Sequence, residues 1–147
     1  MPLVPPYDPQ NVFAKILRGE LPAFTVYEDD DVLAFLDVFP QAHGHTLVIP
    51  KRAQAVTILD VDGDALVKVM LVVQRVAQAL AAELEPDGIQ VGQLSGAAAG
   101  QTVPHVHVHV VPRFAGEDLA FRPAPQADPE ELTALRERLA TRLAAEA

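Results

Sequence analysis

Three histidines alternate with valines in the segment 105–111, which reads His-Val-His-Val-His-Val-Val. Successive side chains of a β-strand point to opposite faces, so a strand would place all three imidazoles on one face, with neighbours roughly 7 Å apart. An imidazole has an unperturbed pKa of about 6.5, so at pH 7 a neutral ring is able to attack phosphorus while its neighbours donate protons. The spacing therefore predicts a groove lined by His105, His107 and His109 that carries out phosphoryl chemistry.

The loop before the histidines has the composition of an anion-binding segment. Residues 96–102 read Gly-Ala-Ala-Ala-Gly-Gln-Thr, a run of small residues bounded by glycines and followed by two short polar side chains. Backbone amides in such a loop are able to approach an anion closely, because no bulky side chain intervenes. The loop therefore favours a phosphate ligand beside the histidines.

Two other interpretations of the histidines remain open. Imidazoles at alternate strand positions are able to chelate zinc, and His43 and His45 are available as further ligands. Such a site normally keeps a carboxylate or carbonyl behind each ring. The simpler alternative, three histidines on the solvent face of an edge strand, is disfavoured because polar strand faces usually carry Lys, Thr or Glu.

The rest of the chain supplies elements in the order α, β, β, β, α, β, β, α. Hydrophobic periodicity predicts helices at 11–19, at 66–84 with Asp64 as the cap, and at about 128–146 with Asp128 as the cap. The predicted strands span 24–28, 32–37, 46–49 with Pro50 as the stop, 89–94 and 106–111. The links between strands are too short for crossovers, so we expect an α+β fold with an antiparallel sheet.

The ends of the chain are predicted to differ in kind. Residues 1–10 carry prolines at positions 2, 5, 6 and 9 and no cationic segment before an apolar run, which indicates an extended N-terminal arm rather than a signal peptide. Residues 11–147 are expected to form one domain, closed by a helix whose apolar stripe packs on the domain or on a partner subunit.

Composition excludes several classes of function. The chain of 147 residues has a formal net charge of −9 and no cysteine. Broad nucleic-acid binding depends on basic patches, and disulfides or thiolate metal sites depend on cysteine, so none of these is expected. The absence of cysteine suits a reducing cytoplasm, where we place the protein. Lys, Gln, Arg and Glu interrupt the apolar stretch 66–84, and we expect it to be too polar for a membrane span.

The segment 105–111 matches the signature His-φ-His-φ-His-φ-φ, where φ is apolar, and thereby resembles the histidine-triad (HIT) family, most closely its bacterial Hint-like branch. The resemblance covers about residues 11–113. Its other matching residues are Phe13, Lys15, Ile16, Gly19, Glu20, Pro22 and Ala23, then Phe35, Leu36, Asp37, Pro40, Gln41, Gly44, His45 and 47–51, then 100–103. It implies a HIT-like fold, with a five-stranded antiparallel sheet, one long helix and terminal helices, commonly paired into a homodimer whose sheets run continuously.

The resemblance also implies residue roles. His107 resembles the nucleophile, while His105, His109 and a fourth histidine, His45, resemble rings that orient it, contact phosphate oxygens and assist the leaving group. Asp37 resembles the carboxylate that binds the ribose hydroxyls, a role for which a carboxylate is suited because it accepts from both. The remaining implied contacts are apolar walls around the base, from Val12, Phe13, Phe35 and Val38, and polar contacts to the phosphate side, from Gly100, Gln101, Thr102 and Ser95.

The implied activity is hydrolysis or transfer at the α-phosphate of an AMP-type purine nucleoside monophosphate amide or ester, through a nucleotidyl-histidine intermediate and without a cofactor. Dinucleoside polyphosphate hydrolysis is one alternative, because 105–113 followed by Ala115 and Gly116 also resembles that branch. A nucleotide-binding interaction module with weak catalysis is another, because Leu94 stands where many relatives place Asn or Gln. Many bacterial relatives carry Cys-x-x-Cys where this chain has Asn11 and Ala14, so we expect no metal.

Overall fold

Five strands form one antiparallel sheet in the order β1-β2-β3-β5-β4, in a computed structural model that describes residues 2–145. The strands are β1 Phe24–Glu28, β2 Val32–Leu36, β3 Thr46–Pro50, β4 Gly88–Gly92 and β5 Val108–Arg113. The helices are α1 Val12–Leu17, α2 Gly63–Leu84 and α3 Pro129–Ala145, and a single 3-10 turn spans Ala97–Ala99. The predicted α+β class, five-stranded antiparallel sheet and long helix are confirmed.

The two long helices cover one face of this sheet. Every residue of β2 and β3 is buried, because alternate side chains enter hydrophobic clusters on opposite faces. The larger cluster joins Ala34, Leu36 and Val48 to the buried stripes of α2 and α3, the latter formed by Leu132, Leu135, Leu139 and Leu143. The closing helix therefore packs on its own domain. The smaller cluster, under α1 on the other face, joins Phe13, Leu33, Phe35, Leu47 and Ile49.

The long helix α2 begins earlier than predicted and is apolar on more than one side. Asp62, rather than Asp64, caps it, because the Asp62 carboxylate accepts from the Ala65 amide over 2.8 Å. Its most apolar window has a mean hydropathy of 1.6, so by length and composition it meets the criteria for a membrane span, contrary to the sequence expectation. A third of that window (33%) is buried, and α2 residues such as Val69, Val73 and Val76 belong to the larger hydrophobic cluster.

The last strand begins later than predicted, at Val108 rather than residue 106. Pro104 has no amide proton to donate, the His105 amide turns back to the Val103 carbonyl over 2.9 Å, and the Val106 amide bonds to Ala55. His105 and His107 therefore precede the strand, and only His109 lies on it. Pro50 is the last residue of β3 rather than a residue beyond it, and it is paired with Val32.

Candidate active site

A cavity of about 820 Å³ opens beside the smaller hydrophobic cluster, and most of the predicted site residues line it. Its predicted members are Val12, Phe13, Phe35, Asp37, Val38, His45, Gly100, Thr102, His107 and His109. The other lining residues were not predicted as site residues, and several of them, among them Leu21, Phe39 and Leu94, extend the apolar wall. The cavity thus has an apolar part and a part lined by imidazoles.

The ring of His107 is held from one side only. Its Nδ1 lies 2.7 Å from the His105 carbonyl oxygen, which only accepts, so Nδ1 carries the proton. The Nε2 atom then bears the free electron pair. No described group forms a hydrogen bond with this Nε2. Every fully buried polar side-chain atom among the described residues has a partner, so this unbonded Nε2 is not fully buried and is accessible from the cavity. His107 therefore presents a neutral nitrogen nucleophile.

A chain of hydrogen bonds sets the tautomer of His109 in the same way. The Gln41 amide donates to Nδ1 of His45 over 3.0 Å, so the proton of His45 is on Nε2. This Nε2–H donates to Nδ1 of His109 over 2.9 Å. His109 therefore carries its own proton on Nε2, and its ring lies 4.9 Å from the ring of His107. A nucleophile and an N–H donor stand side by side.

His105 is placed differently from the sequence expectation. Its Nε2 lies 3.1 Å from the Pro50 carbonyl oxygen and its Nδ1 lies 2.7 Å from the Tyr7 hydroxyl. The side chain is buried and does not line the cavity. Both ring nitrogens are thus engaged inside the chain, and its carbonyl orients the nucleophile. The contact of His105 with a phosphate oxygen stays a prediction.

Burial keeps all four imidazoles neutral. It lowers the pKa of His45 to about 3, with a further contribution from the neighbouring His109. It lowers the pKa of His109 to about 3, and that of His105 to about 4. Burial also lowers the pKa of His107, against the opposing effect of its hydrogen bond to the His105 carbonyl. At neutral pH the nucleophile is therefore unprotonated before any ligand binds.

Asp37 lies at the end of β2, at the wall of the cavity. Burial raises the pKa of its carboxyl to about 6, against the opposing hydrogen bond from the Phe39 amide. That amide donates to Oδ1 over 2.8 Å. Oδ2 lies 3.7 Å from Nδ1 of His45, too far for a hydrogen bond. The second carboxylate oxygen therefore remains available to a ligand.

Two predicted phosphate contacts are instead braces of the loop. The Gln101 side chain accepts from the Gly96 amide and donates to the Val56 and Val103 carbonyls, over 2.8, 2.6 and 3.0 Å. The Ser95 hydroxyl accepts from the Ile58 amide and donates to Gln93. Neither side chain lines the cavity, and their ligand contacts stay predictions. Gly100, with a φ of 102°, and Thr102 are the loop residues that reach it.

Sequence reasoning missed two residues of the site. The ring of Phe121 lies 4.9 Å from that of His109, in a segment that no motif marked. Gln41 was noted only as a matching residue, yet its amide sets the tautomer of His45 and its side chain bonds the backbone of Arg122. Spacing gave no signal for Phe121 or for the bonds between Gln41 and Arg122, because these contacts depend on the tertiary fold.

Within residues 2–145, no three His, Cys, Asp or Glu side chains gather as metal ligands would. His43 is exposed, and one ring nitrogen of His45 and one of His109 are taken up by the hydrogen bond between them. The geometry gives no support to the zinc interpretation, and the expectation of no metal stays a prediction.

Comparison with known proteins agrees with this geometry. The HIT domain profile matches residues 18–116. The chain belongs to the HIT family. A HIT-like protein of Bartonella henselae, described as involved in cell-cycle regulation and solved with an unknown ligand, is 43% identical with a TM-score of 0.86, covering 92% of this chain and 98% of its own. A zinc-bound histidine-triad protein of Mycobacterium smegmatis is 39% identical with a TM-score of 0.79, covering 94% of this chain and 98% of its own.

One HIT relative carries a named activity. The adenylylsulfatase HINT3 of Arabidopsis thaliana is 37% identical over 102 residues, which are 69% of this chain and 51% of that protein. The HIT fold of this chain is that of nucleotide-binding hydrolases.

Proposed function

We propose that this HIT protein hydrolyses AMP-type purine nucleoside monophosphate amides and esters, with His107 as the nucleophile. The observation that carries the proposal is the fixed tautomer of His107, which leaves Nε2 unprotonated at the cavity beside the Nε2–H of His109. An attack on phosphorus requires such a nitrogen, and a leaving group requires such a donor. No cofactor is required by this chemistry.

The nucleotide fits the two parts of the cavity. The purine base would lie against the apolar wall formed by Val12, Phe13, Phe35 and Val38, and the free oxygen of Asp37 would accept from the ribose hydroxyls. This arrangement directs the α-phosphate towards His107 and His109, with Gly100 and Thr102 at its side. Each group is then bound by the chemistry that suits it.

The reaction has two steps. The Nε2 atom of His107 attacks the α-phosphorus, the P–N bond breaks, and the amine leaves with the electron pair. The bound phosphate is anionic and raises the pKa of the adjacent His45–His109 pair, which takes up one proton and passes it from His109 to the leaving nitrogen. Water then attacks the phosphorus of nucleotidyl-His107, the phosphorus–Nε2 bond breaks and returns its electron pair to Nε2, one proton of the water passes to the pair, and AMP is released.

The leaving group is tested with a panel of substrates under one condition. Adenosine 5′-phosphoramidate, adenosine 5′-phosphosulfate and diadenosine triphosphate differ only beyond the α-phosphate, and the second is prompted by the named activity of HINT3. We expect AMP release from the phosphoramidate to be fastest and indifferent to a chelator. AMP and ADP from diadenosine triphosphate at a higher kcat/KM would assign the alternative, dinucleoside polyphosphate hydrolysis.

Two further outcomes separate the proposal from its alternatives. The His107→Ala variant is expected to lose turnover of every substrate in the panel while its thermal unfolding stays close to that of the wild type. Tight AMP binding without turnover by the wild type would instead indicate a nucleotide-binding interaction module. Turnover that a chelator abolishes would indicate a metal-dependent site.

We also propose that the chain forms a homodimer through β4 and α2. β4 pairs only with β5, so its outer edge is unpaired within the described sheet, and it carries the half-exposed Val91. Three apolar side chains of α2 are exposed, namely Val67, Met70 and Leu71, at 60%, 42% and 58%. An unpaired edge and an apolar helix face are typical of an interface.

Sedimentation equilibrium tests this proposal. We expect the wild type to be a dimer and the Leu71→Glu variant to shift the equilibrium towards monomers. A monomeric wild type would contradict the proposal.

A further inference from the structure

The N-terminal arm lies against the back of the histidine site instead of extending into solvent. Tyr7 is half-buried, its hydroxyl lies 2.7 Å from Nδ1 of His105, and the two rings meet edge to face at 5.6 Å. The arm is fixed on both sides of Tyr7. A Cβ added to Gly96 would lie 2.8 Å from the Leu3 side chain, and the Asn11 side chain donates to the Asp8 carbonyl over 2.8 Å.

The two partners of the His105 ring define its tautomer. The Pro50 carbonyl oxygen only accepts, so the ring proton is on Nε2, 3.1 Å away. The Nδ1 atom is then an acceptor, and the Tyr7 hydroxyl is the donor that the described residues supply to it. His105 is 1% exposed, so without that hydroxyl a buried acceptor would lack its partner. The ring proton would then be free to move from Nε2 to Nδ1, and the hydrogen bond to the Pro50 carbonyl oxygen would be lost.

The position of His105 is transmitted to the nucleophile. The carbonyl oxygen of His105 accepts the Nδ1–H of His107 over 2.7 Å, which is the bond that leaves Nε2 of His107 free. The Phe13 ring contacts both imidazoles, with centroids 6.3 Å from His105 and 5.0 Å from His107. A rotation of the His105 ring therefore acts on the orientation of His107 through both the backbone and this shared aromatic neighbour.

We propose that Tyr7 is a positioning residue for the reaction, because its hydroxyl holds His105 in the Nε2–H tautomer and thereby keeps Nε2 of His107 directed into the cavity. Tyr7 does not touch the substrate in this account. The effect of Tyr7 on the reaction rate rests on the proposed function of the site, whereas its hydrogen bond to His105 does not. Misorientation of a reacting group by a fraction of an ångström reduces the rate of the chemical step more than it reduces substrate binding.

Two matched variants test this role. Tyr7→Phe removes one hydroxyl and retains the ring, and Tyr27→Phe does the same to the second tyrosine, whose hydroxyl donates to the Asp29 carboxylate over 2.8 Å. The side-chain ¹⁵N resonances of His105 report its tautomer in each protein, and steady-state hydrolysis of adenosine 5′-phosphoramidate gives kcat and KM. We expect Tyr7→Phe to give a mixture of His105 tautomers and roughly a ten-fold lower kcat, with KM changed less than two-fold. Tyr27→Phe should match the wild type in all three.

Two outcomes would overturn the proposal. A Tyr7→Phe variant that keeps the pure Nε2–H tautomer would show that Pro50 alone holds the ring. A mixed tautomer with unchanged kcat would show that the hold does not matter to the chemistry. A wild type that hydrolyses no substrate would contradict the proposed function, and the tautomer of His105 in Tyr7→Phe would still decide whether Tyr7 holds the ring.

Discussion

Nε2 of His45 lies 2.9 Å from Nδ1 of His109, and this contact determines which nitrogen of His109 faces the cavity. Replacing His45 with Leu removes the donor while keeping a buried side chain of comparable size. His109 is then free to adopt the other tautomer, which presents no N–H to a leaving group. We expect kcat for the phosphoramidate to fall roughly 10- to 100-fold, at or below the low end of the 10²–10⁴-fold contribution of direct acid–base catalysis.

The control for His45 is its neighbour two residues earlier. His43 is exposed, so His43→Leu removes an imidazole from the same segment without touching the bond between His45 and His109. Steady-state kinetics of both variants should show a loss for His45→Leu alone. Equal kcat values in the two variants would mean that the tautomer of His109 does not limit the reaction.

The raised pKa of Asp37, about 6, predicts that nucleotide binding weakens in acid. Above this pH the carboxylate accepts from the ribose hydroxyls with charge assistance, and below it the neutral carboxyl loses part of that interaction. The KM of the wild type should therefore rise several-fold as the pH falls from 7.5 to 5. The KM of Asp37→Asn should be roughly ten-fold higher at pH 7.5 and nearly independent of pH. A pH-independent KM in the wild type would contradict the ribose role.

The raised pKa of Asp37 also predicts that removing the negative charge of this side chain raises the free energy of unfolding. The folded chain holds the Asp37 proton more tightly than the unfolded chain, so ionisation of Asp37 destabilises the fold as the pH rises through the window between about 4 and 6. A shift of this size corresponds to about 2–3 kcal/mol. Asp37→Asn should therefore raise the free energy of unfolding at pH 8 and do so less at pH 5. Urea denaturation at both pH values measures it, with Asp30→Asn on an exposed turn as the charge control.

Gly44 is required by both conformation and space beside His45. Its φ is +95°, and an added Cβ would lie 2.7 Å from Leu84 and 3.0 Å from Pro112. Left-handed backbone costs an alanine about 1–2 kcal/mol, and overlap in a packed region about 1–3 kcal/mol more. Gly44→Ala should therefore lower the free energy of unfolding by about 2–5 kcal/mol. Gly19→Ala, at φ +78° in open space, should lose only the first contribution; equal losses would contradict the steric argument.

Gln101 and Thr102 are adjacent residues with different predicted effects. Gln101 braces the loop through three hydrogen bonds, whereas Thr102 lines the cavity. Gln101→Ala should lower the free energy of unfolding by about 1–3 kcal/mol, because three partly buried backbone groups lose their partner. Thr102→Ala should raise the dissociation constant of AMP with little change in unfolding. Thermal unfolding and calorimetric titration of both variants would show a reversed pattern if Gln101 contacted the phosphate.

Local patterns predicted the elements well, because alternation and helical periodicity are properties of short segments. β1 was predicted without error, and β2 and β3 to within one residue. The late start of β5 was missed because it results from a turn at Pro104 and from a hydrogen bond between Val106 and Ala55. Of the three histidines in the signature, His107 and His109 line the cavity, whereas the strand interpretation also placed His105 in the groove, where it does not lie.

The contacts that define the chemistry join segments far apart in sequence. Tyr7 and His105 are 98 residues apart, and His45 and His109 are 64 apart. Residue type and spacing along the chain do not predict such tertiary contacts. For the same reason, the family resemblance implied that Gln101 and Ser95 would bind a ligand, whereas in the structure tertiary partners take up their hydrogen bonds.

The central claim is that His107 carries the nucleotide during turnover. The direct measurement mixes enzyme and adenosine 5′-phosphoramidate, quenches within the first turnover in base, where a phosphorus–imidazole bond survives, and locates bound AMP by mass spectrometry of the digested chain. We expect AMP on the peptide that contains His107, appearing before free AMP and absent from His107→Ala. Turnover with no bound AMP, or with AMP on another residue, would contradict it.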